Sequence, residues 1–384
     1  MRFDFSGYEY FDDHTHLLFT DRLKVTPEEF AVNYYHGVRD IKDKDGKPGV
    51  SPEAVRHLRR QSVIKYLLHE MHRKFGCDET LEAAAELRNS MTKTPEALAA
   101  YTRLLFEDEN ITGCMLDAAE PMDSGIEGCF PCRVYRLFRY EDEYFRLLDT
   151  APTFGDLTEA LLARVRKAKE EGFAGLKGHI GEKCGFGARS VSDGEAEAAF
   201  EKAKARDPEA MRTVYYAMFG HLLELAGEIG LPVHLHTGTT GFKGDTAVSS
   251  LDPLLMAPFL DDDRYRASKI VFIHGSFPMS RSAAWMAYNF PNVYIDLSQT
   301  QLWQAYLLPD LLRDALSIAP HDKIMLGTGQ HWYCEMVWLA SKAAKRSLEK
   351  VMSDYAELDF VSLKDAEKTA AMVLSENAYA LYGR

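Results

Sequence analysis

Four histidines stand where short apolar runs end, and imidazole is a ligand for transition metals. His14 and His16 lie two apart in 8-YEYFDDHTH-16. Residues i and i+2 of a strand point to the same side, so both rings can face one cation. His236 falls near the end of 232-PVHLHTG-238, and His274 near the end of 269-KIVFIHG-275. Imidazole suits zinc, iron, copper and nickel, and three protein ligands with one open position make a catalytic zinc site. Any one of these rings alone could be a buried, hydrogen-bonded histidine. All four at strand ends point instead to a shared ion. His234, two residues before His236, shares its inward face one layer deeper and reads as a supporting histidine.

A site of this kind needs strands to carry it. Apolar runs alternate with long helical patterns through the second half, the signature of successive βα units. The expected strands there are β4 (174–180), β5 (232–238), β6 (269–275), β7 (292–298) and β8 (323–329), with helices over 212–230, 279–290 and 303–319. In the first half, β1 (8–16), β2 (110–118) and β3 (132–141) complete a set of eight. About ninety residues between β1 and β2, roughly 26–106, are rich in helix formers and read as a helical insertion on the catalytic face. The charged segment 194–210 reads as a solvated helix, 335–352 as the helix that closes the barrel, and 363–383 as a C-terminal cap. The expectation is a (β/α)8 barrel with its site at the C-terminal strand ends, one domain over 1–384.

The ordered series DDHTH on β1, GLKG on β4, HLHTG on β5, FIHGSFP on β6, NVYIDLS on β7 and GTG on β8 resembles the amidohydrolase superfamily. The branch it is most similar to contains nodulin-like amidohydrolase domains. That resemblance implies that His14, His16 and His236 are metal ligands, and that His274 is a ligand or polarises the substrate. It also implies two roles open to Lys177 on β4: a carboxylated bridge between two metals, or a partner for a substrate carboxylate or a barrel salt bridge. The implied cofactor is one or two divalent ions, zinc first, with iron or manganese as alternatives.

The sequence departs from that family at β8. Such hydrolases end β8 on an aspartate that binds metal and takes a proton from water, and here 326-LGTGQHWYCE-335 places Gly329 there. Losing a positioned base costs about 10²–10⁴ in rate. His331, Gln330 and Glu335 just beyond the strand, or Asp296 on β7, are the replacements within reach, with His331 the leading one because histidine serves as base or ligand. Restoring the carboxylate with Gly329→Asp would separate a degraded hydrolase from a rebuilt site.

Substrate signals are fewer. Arg133 and Arg139 share one face of β3 and Arg136 takes the other. An inward arginine near the strand end suits a substrate carboxylate. Tyr34, Tyr35, Trp303 and Trp332 could roof a pocket. The formal net charge of −13 excludes the basic face that general nucleic-acid binding requires. The N-terminus lacks the pattern of a signal peptide, and no apolar run is long enough for a membrane span. Cytoplasmic enzymes of small molecules, free or as homo-oligomers, have this composition. Six cysteines with one isolated Cys129-x-x-Cys132 pair read as reduced thiols. The first function expected is metal-dependent hydrolysis of a C–N bond in a small carboxylated molecule. A lyase, decarboxylase, isomerase or iron-dependent oxygen-using enzyme is the alternative, and a non-catalytic metal- or ligand-binding barrel the second.

Overall fold

The computed structural model describes residues 3–32, 56–187, 189–239 and 247–383. Tyr34 and Tyr35 lie outside them. Eight parallel strands follow one another around a barrel in sequence order: β1 Tyr10–Thr15, β2 Ile111–Asp117, β3 Arg133–Arg139, β4 Gly175–Gly178, β5 Val233–His236, β6 Ile270–Ile273, β7 Val293–Asp296 and β8 Ile324–Met325. This is the (β/α)8 architecture expected from the alternating runs.

β8 is much shorter than expected, and the chain after it closes the seam against β1 without regular pairing. Gly329 N donates to His14 O (2.5 Å), His16 N to Gln330 O (3.0 Å) and Trp332 N to Leu17 O (2.7 Å). Thr328 donates its N–H (2.5 Å) and its hydroxyl (2.7 Å) to the Asp12 carboxylate. The register of β1 slips between Asp12 and Thr15. Simple alternation from the inward Phe11 and Asp13 would turn His14 outward; the slip keeps it in the barrel.

The described part of the insertion between β1 and β2 is helical, with helices Pro27–Val32, Ser62–Phe75, Leu81–Met91 and Pro95–Asp108. Thr80 and Thr94 cap the last two by accepting the N–H of Ala83 and of Ala97. The insertion is pinned to the helix Cys334–Glu357 by the buried Arg88–Glu335 pair at 2.9 Å. Glu335 is therefore committed to this anchor and is not a replacement base. The charged segment is only half solvated: Ala196, Phe200 and Ala203 of helix Asp193–Lys204 are buried. The expected helix over 303–319 is two pieces, Thr300–Trp303 and Leu308–Ile318, with Pro309 in the first turn of the second.

The C-terminal segment caps the barrel floor. Phe11, Met115, Leu137, Val271, Ile273 and Met325 form an inner apolar layer with Ala378. Above them the Tyr382 hydroxyl donates to Asp13 Oδ1 at 2.7 Å and lies 2.9 Å from His234 Nε2. His234 thus occupies the supporting layer expected for it. Removing that hydroxyl leaves a buried carboxyl short of a partner, which costs about 1–3 kcal/mol. Tyr382→Phe is expected to lower the urea midpoint accordingly; an unchanged midpoint would show that the hydroxyl contributes nothing.

Candidate metal centre

Six imidazoles form a continuous row across the C-terminal mouth. His331 stacks on His16 with centroids 3.7 Å apart and planes at 9°. His14 lies 4.8 Å from His16 and 4.9 Å from His274. His274 is 4.4 Å from His236, and His236 is 5.8 Å from His179. The four histidines read from strand ends are thus neighbours, joined by His331 and by His179.

The row divides into two potential ligand groups. The donor atoms of His14, His16 and Asp117 lie within 4.8 Å of one another, and so, separately, do those of His179, Glu182 and His236. In the first group Asp117 Oδ2 is 4.0 Å from His14 Nε2 and 3.9 Å from His16 Nδ1. Ligands at about 2.0–2.2 Å from zinc are separated by roughly 3–4 Å, so this group fits a cation with little movement. Both nitrogens of the fully buried His14, and Asp117 Oδ2, find no hydrogen-bond partner among the described residues. Buried polar atoms without partners are costly, and one bound cation would satisfy Asp117 Oδ2 and the His14 nitrogen that faces it, Nε2.

Asp117 falls at the end of the run 110–118 expected as β2, with no motif of its own to mark it. Its other oxygen accepts from Arg139 Nε at 2.5 Å. Burial alone would raise its pKa, but Lys177, His16 and Arg139 outweigh that and hold it far below the usual carboxylate range. Arg139 is therefore the inward arginine of β3. Arg136 turns outward to the Pro121 carbonyl (2.7 Å) and Glu127 (2.9 Å), and Arg133 lies over the Tyr135 ring.

His274 follows β6 in left-handed backbone, φ +74°, rare for a residue with a Cβ. Ser298 holds it there: its Oγ accepts from His274 N at 3.2 Å and lies 2.8 Å from His274 Nδ1. Ser298 N in turn donates to Asp296 Oδ1 at 3.0 Å. Burial lifts Asp296 to about 6, and its second oxygen accepts from Gly327 N. Lys177 is buried, which lowers its pKa, and its Nζ is 2.8 Å from His179 Nε2. Gln330 Nε2 donates to the Thr328 carbonyl at 2.7 Å. Trp332 is partly exposed and stacks on Phe19 at 5.9 Å, and Trp303 is partly buried. All six cysteines are free thiols.

Burial lowers the pKa of His14, His16, His234, His236, His274 and His331, His16 to about 4. Below pH about 6.5 an unfolded histidine takes up a proton that these rings refuse, so they weaken the fold as the pH falls from about 6.5 toward 4. Asp12, Asp13 and Asp296 are raised by burial, Asp12 to about 7, and act in the opposite direction. Six imidazoles outnumber three carboxyls, so stability is expected to fall on acidification through this window. Urea unfolding at pH 7.0, 6.0 and 5.0, values chosen to span roughly that range, checks the sign; a rising midpoint would contradict it.

Fold and site together define a metal-dependent (β/α)8-barrel enzyme. The chain belongs to the amidohydrolase family, whose model matches residues 139–384. Over 154 residues it is 30% identical to protein fluG of Emericella nidulans, a match covering 39% of this chain and 17% of that protein. The match thus spans less than a fifth of that relative's length. Among solved structures, a proposed metal-dependent hydrolase of Lactobacillus casei superposes with TM-score 0.81 at 20% identity, covering 100% of this chain and 98% of the other. The uronate isomerase of Thermotoga maritima gives TM-score 0.70 at 15% identity over 97% and 94% of the two chains. The glucuronate isomerase of Caulobacter crescentus gives 0.70 at 16% over 98% and 91%. At these identities the likeness is one of fold. No helix among the described residues is long and apolar enough to cross a membrane.

Proposed function

We propose that the chain is a zinc-dependent hydrolase of a C–N bond in a small carboxylated molecule, with His14, His16 and Asp117 holding the ion. The observation that carries this reading is the set of buried, unpartnered donor atoms on His14 and Asp117 at the mouth. A divalent ion there supplies Lewis-acid polarisation of a carbonyl and acidifies water. Arg139 fixes Asp117 through one oxygen and leaves the other turned to the histidines. Ser298 fixes the His274 ring by its Nδ1, which leaves Nε2 to hydrogen-bond the substrate carbonyl. Burial lowers the His331 pKa and keeps the ring neutral, and His331 is assigned the base role that Gly329 vacates. Lys177 offers a charge to a substrate carboxylate or, carboxylated, a bridge toward His236. His236 and His274 line the opposite side.

A second reading, isomerisation of a sugar acid by proton transfer, is favoured by one observation: the backbone at Gly329 has no room for a β8 carboxylate. Oxygen-18 and deuterium separate the two. Zinc-loaded protein incubated with N-acyl amino acids in labelled water should place solvent oxygen in the freed carboxylate, and His331→Ala should slow this by about 10²–10⁴-fold. Deuterium entering carbon of a uronate with no oxygen transfer to any amide would replace the hydrolytic reading.

A further inference from the structure

The second ligand group at the mouth has its own scaffold. β4 ends at Gly178, and His179 caps the short helix Ile180–Cys184. His179 and Glu182 are three residues apart across its first turn, so their side chains rise on one side. The adjacent strand β5 ends on His236. His236 Nε2 lies 3.6 Å from Glu182 Oε1 and 3.3 Å from the Thr239 carbonyl oxygen. The buried Glu141 accepts the His179 backbone N–H at 2.7 Å and places its other oxygen 3.7 Å from His179 Nδ1. A carboxylate behind an imidazole is the support that metal-binding histidines use. Two imidazoles and one carboxylate also match a catalytic zinc ligand set with a position left open.

We infer that His179, Glu182 and His236 form a second divalent-cation site that shares no ligand with His14, His16 and Asp117. This rests on the metal-centre reading above only in taking His14, His16 and Asp117 as the first centre. His274, between His14 and His236, separates the two groups. The side chains of His179 and Glu182 are each 28% exposed, against 0% for His14. Lys177 Nζ, 2.8 Å from His179 Nε2, competes with any cation bound through that nitrogen. Exposure and competition make this the weaker and more exchangeable of the two sites.

The test is zinc titration of the dialysed full-length protein by calorimetry, with native mass spectrometry counting ions. Wild type is expected to bind about two zinc ions per chain, and Glu182→Gln or His179→Asn to weaken the lower-affinity event by at least about 10-fold while sparing the other. Asp117→Asn should remove the tighter event and leave the one that depends on Glu182. Far-UV circular dichroism confirms that each variant is folded. Glu182→Gln and His179→Asn both binding zinc as wild type does would overturn the second site. If Asp117→Asn instead binds as wild type while Glu182→Gln loses an ion, the second site stands and the first centre fails.

Discussion

Replacing Asp117 by asparagine is expected to empty the His14–His16 centre and lower turnover by more than the roughly 100-fold seen when a supporting partner of a metal ligand is lost. Asparagine keeps the shape and one carbonyl oxygen but removes the charge. That charge is what Arg139, 2.5 Å from Oδ1, and the nearby Lys177 stabilise. With it gone, two cations face each other across the mouth beside neutral imidazoles, and a divalent ion entering that field is repelled rather than held. His14→Asn should have the same effect on metal content without disturbing the Arg139 pair. Elemental analysis should therefore show both variants losing the ion of this centre. Asp117→Asn with full metal content and normal turnover would remove it from the site.

Restoring an aspartate at β8 is expected to damage the protein rather than revive a hydrolase. Gly329 has φ +64°, a conformation that side chains rarely adopt. A Cβ there would lie 2.6 Å from Gln299 Cγ and 2.8 Å from Gln299 N. The backbone contact cannot yield, because Gln299 N donates to Thr328 O and Gln299 itself has φ +64°. Left-handed strain of about 1–3 kcal/mol and overpacking of about 1–3 kcal/mol add, so Gly329→Asp should lose several kcal/mol. Gly329→Ala should lose nearly as much, because the clash begins at Cβ. Urea unfolding of both variants checks this. A variant with aspartate as stable as wild type and gaining hydrolysis would show that the glycine is a simple loss. The seam is built around glycine, and the site without a β8 carboxylate is its settled form.

Much of this arrangement was legible in the residues. Strand-end histidines and the alternation of apolar runs with helical stretches suffice for the barrel and for the neighbourhood of His14, His16, His236 and His274. Asp117 was not legible for a definable reason. Its partners are about a hundred positions away, and it meets them only because β1 and β2 pair side by side, with Thr15 beside Leu116. A carboxylate ending a strand next to one that carries paired histidines was the available signal. His179 and Glu182 were hidden differently: they gain a common side from a helical turn after β4 that periodicity over so few residues cannot announce. Glu335 illustrates the converse, since its position just beyond the expected β8 suggests chemistry, whereas Arg88 from the insertion claims it. The short β8 follows from Gly327 and Gly329: Gly327 N donates to the Asp296 side chain of β7 and Gly329 N to His14 O across the seam, in place of extending the ladder.

Anomalous diffraction at the zinc absorption edge, from crystals of protein purified without chelator, addresses the centre most directly. The expected result is a peak about 2.0–2.2 Å from a nitrogen of His14, a nitrogen of His16 and Oδ2 of Asp117. A map with no peak between those three side chains, or with the ion held elsewhere and the His14 nitrogens bonded to protein groups, would contradict the account.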